Sequence, residues 1–155
     1  MTDNRSEVLV ERRDSNGWRL VSGQHVQLAP TDVFQFFTNV YNLERITPSF
    51  LNFKILRVSS VQLAVGTTID YTLRLHRIPV FWRTLITEWA PPHRFVDTQC
   101  IGPFKAWRHL HEFVQTENGT EIRDLVTFDL YCRSLVRTPI LGWVNNDLRH
   151  IFKFR

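Results

Sequence analysis

F-V-D-T-Q-C-I-G-P-F-K-A-W-R-H-L-H-E-F occupies residues 95–113, and E-N-G-T-E-I-R-D-L-V-T-F-D follows at 117–129. Turn signals at Gly102-Pro103 and Asn118-Gly119 cut this region into three extended runs, 95–101, 104–115 and 120–131. In the middle run Trp107, His109, His111 and Phe113 fall at every second position, with Arg108 and Glu112 between them. A strand sends successive side chains to opposite faces. One face therefore carries Trp, two His and Phe, and the other carries charge. The sheltered face is aromatic and polar at once. A core made only for burial has no need of two imidazoles, whereas a ligand cavity can use them.

Working outward, the same alternation predicts strands over residues 8–13, 18–28, 53–60, 67–76 and 81–89. Asp14-Ser15-Asn16-Gly17 turns the first pair, Arg77-Ile78-Pro79 the fourth and fifth, and Ala90-Pro91-Pro92-His93 leads into the region quoted above. Thr31 or Asp32 caps a short helix from Val33, whose apolar side is Val33, Phe34, Phe36, Phe37 and Val40. A second helical turn over 42–46 stops at Thr47-Pro48, because the residue before proline disfavours the helical region. The chain ends in a long helix with Thr138 as cap and Pro139 at its first position. Ile140, Val144, Leu148, Ile151 and Phe152 form its apolar stripe. The expected class is α+β: a curved antiparallel sheet around a long C-terminal helix, with two short helices closing one end. One helix covers such a sheet only partly, so a cavity is expected between them.

This order of elements resembles the SRPBCC superfamily, also called START-like or helix-grip proteins, in its polyketide cyclase/dehydrase-like and bacterial ligand-binding members. The residues that carry the resemblance are Asn42-Leu43 through Ile46-Thr47-Pro48, Ile78-Pro79 through Trp82-Arg83-Thr84, and Pro91-Pro92 through Phe95-Val96-Asp97. Gln99, Gly102-Pro103, Trp107-x-His109-x-His111-x-Phe113, Gly119-Thr120 with Asp124, and the closing Ile151-Phe152-x-Phe154-Arg155 complete it. The resemblance covers nearly all of residues 1–155 and implies one ligand-binding domain of that fold. It implies less about function, since that scaffold hosts lipid carriers, cyclases, hydroxylase domains and hormone receptors.

Strand parity assigns the inward side chains. They are Trp107, His109, His111 and Phe113; then Ile122, Asp124, Val126 and Phe128; then Phe81, Arg83, Leu85 and Trp89; then Phe95, Asp97, Gln99 and Ile101. From these and the helix stripe, the expected ligand-contacting set is Tyr71, Leu73, Arg83, Asp97, Gln99, Trp107, Phe113, Val126, Val144 and Leu148. A two-residue loop at Asn118-Gly119 puts Phe113 across from Asp124 and makes His111 its diagonal neighbour. Buried polar groups must be paired. The polar face reads as a structural network, as a device that orients a mostly apolar ligand, or as an acid–base pair in which His109 or His111 works with Asp124 or Asp97. Two histidines and a carboxylate also make a minimal metal set. The spacing fixes no third ligand, and no metal or cofactor is expected.

Composition bounds the rest. With 43% hydrophobic residues and five Trp and twelve Phe, the chain can build a core rather than stay disordered. The net charge of +4 is scattered without a basic stripe, which argues against nucleic acid as a partner. Cys100 and Cys132 have no metal-type spacing and read as two reduced, buried thiols. No spanning helix or secretory leader is visible, so the expectation is a cytoplasmic protein without stable membrane insertion. Its partner is then a hydrophobic or amphipathic small molecule, carried in the cavity; the sequence leaves the oligomeric state open. A cyclase, aromatase or dehydratase is the enzymatic alternative, and an accessory protein that binds a lipid or quinone is a third.

Overall fold

A computed structural model describes residues 7–14, 17–131 and 139–154. Eight strands form one antiparallel sheet: β1 (Glu7–Asp14), β2 (Gly17–Val26), β3 (Lys54–Val58), β4 (Thr68–Leu75), β5 (Ile78–Ala90), β6 (Arg94–Ile101), β7 (Ala106–Thr116) and β8 (Gly119–Asp129). Their order across the sheet is β1-β2-β8-β7-β6-β5-β4-β3. Only β2 and β8 pair out of sequence. Helix α1 (Pro30–Thr38) and two 3₁₀ turns (Val40–Glu44, Ser49–Leu51) fill the connection from β2 to β3, and α2 (Pro139–Phe154) ends the chain. This is the helix-grip arrangement that the alternation and the helix stripe predict.

Helix α1 begins earlier than expected. Ala29 occupies the cap position without a side-chain hydrogen bond, and Pro30 starts the helix. Proline fits there because the first amide hydrogens of a helix have no partner to lose. The hairpin between β4 and β5 is also tighter than expected. His76 and Arg77 form its two-residue loop, both at positive φ (48° and 71°), and Pro79 lies within β5. Proline is tolerated there because β6 pairs with β5 only from Arg83 onward. The Thr138 cap, Cys132 and the Ser15-Asn16 turn lie outside the described residues, as do the side chains of Ile140 and Trp143. Cys100 is exposed, not buried, because it lies at the irregular end of β6.

Two apolar clusters lie between the sheet and the helices. Leu148 and Phe152 of α2 pack on Leu20, Trp82, Phe104, Trp107, Val126 and Phe128. Val33, Phe34 and Phe37 of α1 pack on Ile86, Phe95, Phe113 and Ile122. Phe34 meets Trp89, Phe95 and Phe113 edge-on, at centroid distances of 5.2, 5.9 and 5.5 Å. No helix among the described residues is long and apolar enough to cross a membrane.

Candidate functional site

A cavity of about 170 Å³ lies where the two clusters meet. Ile69, Tyr71, Leu73 and Leu75 reach it from alternate positions of β4, and Val144, Leu148, Ile151 and Phe152 from α2. The alternation of β4 and the stripe of α2 are read correctly from sequence. Thr84, Asp97, His109 and His111 supply polar groups on the sheet wall. Asp147 lies on the helix side, where its carboxylate meets His76 Nε2 at 2.8 Å and ties α2 to the β4–β5 hairpin.

Strand β5 faces the other way from its predicted parity. Trp82, Thr84 and Ile86 point inward, while Phe81 is exposed and Arg83 and Leu85 turn outward. A bulge between Ile86 and Glu88 then restores the predicted side for Trp89, which packs on Phe34. Arg83 is thus no cavity residue. It makes a bidentate pair with Asp70, two bonds of 2.7 Å, and that pair lowers the Asp70 pKa and raises its own. The register sets Asp70 directly opposite Arg83. Asp70 was already readable as outward-facing, so the charge pairing is the signal that would have turned Arg83 outward too.

Other expected contacts also fall elsewhere. Gln99 donates to the Phe104 carbonyl at 2.7 Å and accepts from the Phe104 amide at 3.3 Å, closing the Gly102-Pro103 turn. Ile101 is 47% exposed, because a second irregularity near Cys100 flips the end of β6. Phe113 and Val126 are buried in the two clusters and do not line the cavity. The loop between β7 and β8 is Glu117-Asn118, one residue earlier than expected. His111 therefore sits directly across from Asp124, and Phe113 across from Ile122. The shift moves each partner by two residues, so the inward parity of both strands survives.

Four of the predicted residues form a closed polar group. His109 Nε2 lies 2.8 Å from Asp124 Oδ1, and His111 Nε2 lies 3.0 Å from Asp97 Oδ2. His111 Nδ1 is 3.0 Å from that same Asp124 oxygen, but off the line a hydrogen bond needs. The two imidazole centroids are 3.7 Å apart. Phe95 stacks on His111 at 4.2 Å, and Phe152 meets His109 edge-on at 5.4 Å. Thr84 Oγ1 donates to Asp97 Oδ1 at 3.1 Å. Asp124 stands behind the histidines, outside the cavity lining. Thr84, Ile86 and Asp147 are among the cavity residues that sequence reasoning missed, together with Leu51, Phe53, Leu63 and Phe104.

Burial sets the charges of this group. It pushes His109 down, with the His111 charge adding to the effect, to about 4 despite the pull of Asp124 and Asp97. His111 is also disfavoured by burial, yet the carboxylates of Asp124 and Asp97 together raise it. Burial alone would raise both carboxyls. Hydrogen bonds and charge from the histidines hold Asp97 and Asp124 below the ordinary carboxylate range. The group thus favours charge on His111 and on both carboxyls, and disfavours it on His109.

Neither a protein-family model nor a curated protein sequence matches this chain. Solved structures do. A protein from Thermus thermophilus matches with a TM-score of 0.66 at 13% identity, over 88% of this chain and 92% of its own. Major latex-like protein 151 from Panax ginseng matches with a TM-score of 0.62 at 13% identity, over 89% and 97%. The di-domain ARO/CYC StfQ of the steffimycin biosynthetic pathway matches with a TM-score of 0.65 at 13% identity, over 86% of this chain and 44% of its own. Identities this low speak for the backbone path and not for a shared activity. The sheet order, the two 3₁₀ turns and the closing helix give this chain the helix-grip fold, which it shares with these solved structures.

Proposed function

We propose that the chain is a single ligand-binding domain that takes up a compact, mostly apolar small molecule bearing a hydroxyl or similar polar end. One observation carries this reading: the cavity wall is aromatic and aliphatic almost throughout, and four of its polar groups, Thr84, Asp97, His109 and His111, stand together on the sheet wall, apart from Asp147 on the helix side and Thr47. Such a distribution buries a ring system and fixes which way it points. A ligand hydroxyl can donate to Asp97 and accept from an imidazole, and a ligand acceptor can meet Trp82 Nε1, a buried donor with no hydrogen-bond partner among the described residues. A cavity of about 150 Å³ in another protein holds one benzene ring, so the scale here is one or two fused rings. The matched major latex-like protein and the ARO/CYC share the fold that can build such a cavity. The test is displacement of a fluorescent apolar probe by a panel of hydroxylated aromatics, beside native mass spectrometry of gently purified protein. Leu73→Trp, which fills the cavity, should abolish probe binding while the fold persists. Unchanged probe binding in that variant would overturn the assignment.

A second reading is acid–base catalysis of the cyclase or dehydratase type. Its support is the pair of histidines in contact, one pushed down and the other raised, since titratable neighbours pushed apart in pKa suit opposite roles. If the group only binds, His111→Ala should cost about 1–3 kcal/mol of stability by stranding its buried partners, and binding should fall only with the folded fraction. A stable His111→Gln protein that still binds ligand yet loses a measurable reaction would favour catalysis.

A further inference from the structure

We propose that Asp97, His109 and His111 form a site for one divalent transition-metal ion on the inner wall of the cavity. One ligand atom from each of the three lies within 4.8 Å of the others. Asp97 Oδ2 is 3.0 Å from His111 Nε2 and 3.7 Å from His109 Nδ1. Bonds of about 2.0–2.2 Å to a tetrahedral metal set neighbouring ligands about 3.4 Å apart, a spacing that the two separations from Asp97 Oδ2 bracket. Asp97 and His109 are paired across β6 and β7, and His111 follows two residues along the same strand. Ligands on paired strands keep their spacing better than ligands on loops.

The surroundings strengthen the assignment. Two of the three ligands, His109 and Asp97, have their other polar atom held from behind, and the far nitrogen of His111 lies beside a carboxylate without a hydrogen bond. Asp124 Oδ1 takes His109 Nε2 at 2.8 Å and faces His111 Nδ1 at 3.0 Å. Thr84 Oγ1 holds the second oxygen of Asp97 at 3.1 Å. Metal-bound histidines characteristically give their far nitrogen to such a carboxylate, which fixes ring orientation and tautomer. An ion-pair network alone does not require His109 Nδ1 and His111 Nε2 to converge on one carboxylate oxygen. Because all three ligands line the cavity, the open coordination position faces the space a small molecule would occupy. Two imidazoles and one carboxylate suit Zn²⁺, Fe²⁺ or Co²⁺ rather than Mg²⁺ or Ca²⁺. The site stands on this geometry whether or not the cavity takes an organic ligand.

The probe is Co²⁺ alone, added to the full chain after chelator treatment, with Zn²⁺ as competitor. One equivalent should bind with the visible absorption of nitrogen and oxygen ligands, and Zn²⁺ should displace it. His109→Gln and Asp97→Asn, shown folded by circular dichroism, should lose the signal. Asp124→Asn, which leaves all three ligands in place, should weaken binding by about 10–100-fold. If the variants do not fold, ¹⁵N-histidine NMR of the unaltered chain decides: Zn²⁺ should move His109 Nδ1 and His111 Nε2. Co²⁺ binding that survives in folded Asp97→Asn, Zn²⁺ shifts confined to His25, His76, His93 or His150, or no metal uptake by the folded chain would each overturn the site.

Discussion

Asp124 is 3% exposed and touches both imidazoles through one oxygen, so its removal strands His109 Nε2 and leaves the two buried rings to share the charge of Asp97. Asp124→Ala should cost about 3–5 kcal/mol in urea unfolding, the range for breaking a buried pair from one side. Asp124→Asn keeps the shape and should cost less; equal costs would mean that volume, not charge, matters at this position. The same group sets a pH dependence. His109 is lowered in the fold, so between about 4 and 6.5 the unfolded chain binds its proton more readily, and stability rises with pH. His111 is raised, so its contribution is complete below 6.5 and is lost as pH climbs through its higher folded value. Asp97 and Asp124, both lowered, add stability above their ordinary value of 3.8 that disappears as pH falls further. Melting temperature against pH should therefore peak near 6.5, with limbs on the order of 1 kcal/mol per pH unit. A profile flat from pH 5 to 8 would contradict the charge assignment. Three members of this group were legible from the parity of β7 and β8. Asp97 joined them from β6, where the run is regular up to its last residues. Which atoms meet was not legible, because that depends on a loop placed one residue earlier than its sequence signal.

Strands show where periodicity succeeds and where it fails. An uninterrupted alternation, as in Trp107 to Phe113, gives the face directly. In β5 the bulge after Ile86 makes one half of the strand contradict the other, and the reading followed the half that contains Trp89. A bulge has no residue signature in this sequence; it reveals itself only through the partner strand. Turns leave firmer traces. Gly119 has φ of +144°, and a Cβ there would lie 2.1 Å from the Val26 carbonyl oxygen. At Gly102 the added atom meets only the Gln99 side chain, at 2.4 Å. Backbone cannot swing aside and a glutamine can. Gly119→Ala should therefore destabilise by more than about 1 kcal/mol, and by more than Gly102→Ala. The opposite order in thermal melts would mean that the Gln99 clasp on Phe104 matters more than the close approach of Gly119 to the end of β2.

At the scale of the molecule, each helix brings its own cluster and the polar group lies at the seam between them. Phe113→Ala, inside the α1 cluster, should cost about 3–5 kcal/mol yet leave probe affinity of the folded fraction unchanged, because Phe113 does not reach the cavity. Leu148 belongs to both cluster and cavity, so Leu148→Ala should lower stability and alter probe affinity together. The placing of a short helical connection and a long closing helix on a curved sheet was legible from sequence, though not the second 3₁₀ turn at Ser49–Leu51; the division of the interior into two packed halves was not, since it depends on which aromatic rings meet in space. Those rings carry one more property. Trp82 and Trp107 stand edge to face at 5.4 Å on the cavity wall, and Tyr71 lies nearly parallel to Trp82 at 5.9 Å. Electronic transitions of indoles this close mix, and a chiral frame turns the mixing into a paired positive and negative band in circular dichroism. A guest that tilts either ring changes that band, and Trp82→Phe should erase it. The protein thus carries its own optical gauge of whether its interior is filled.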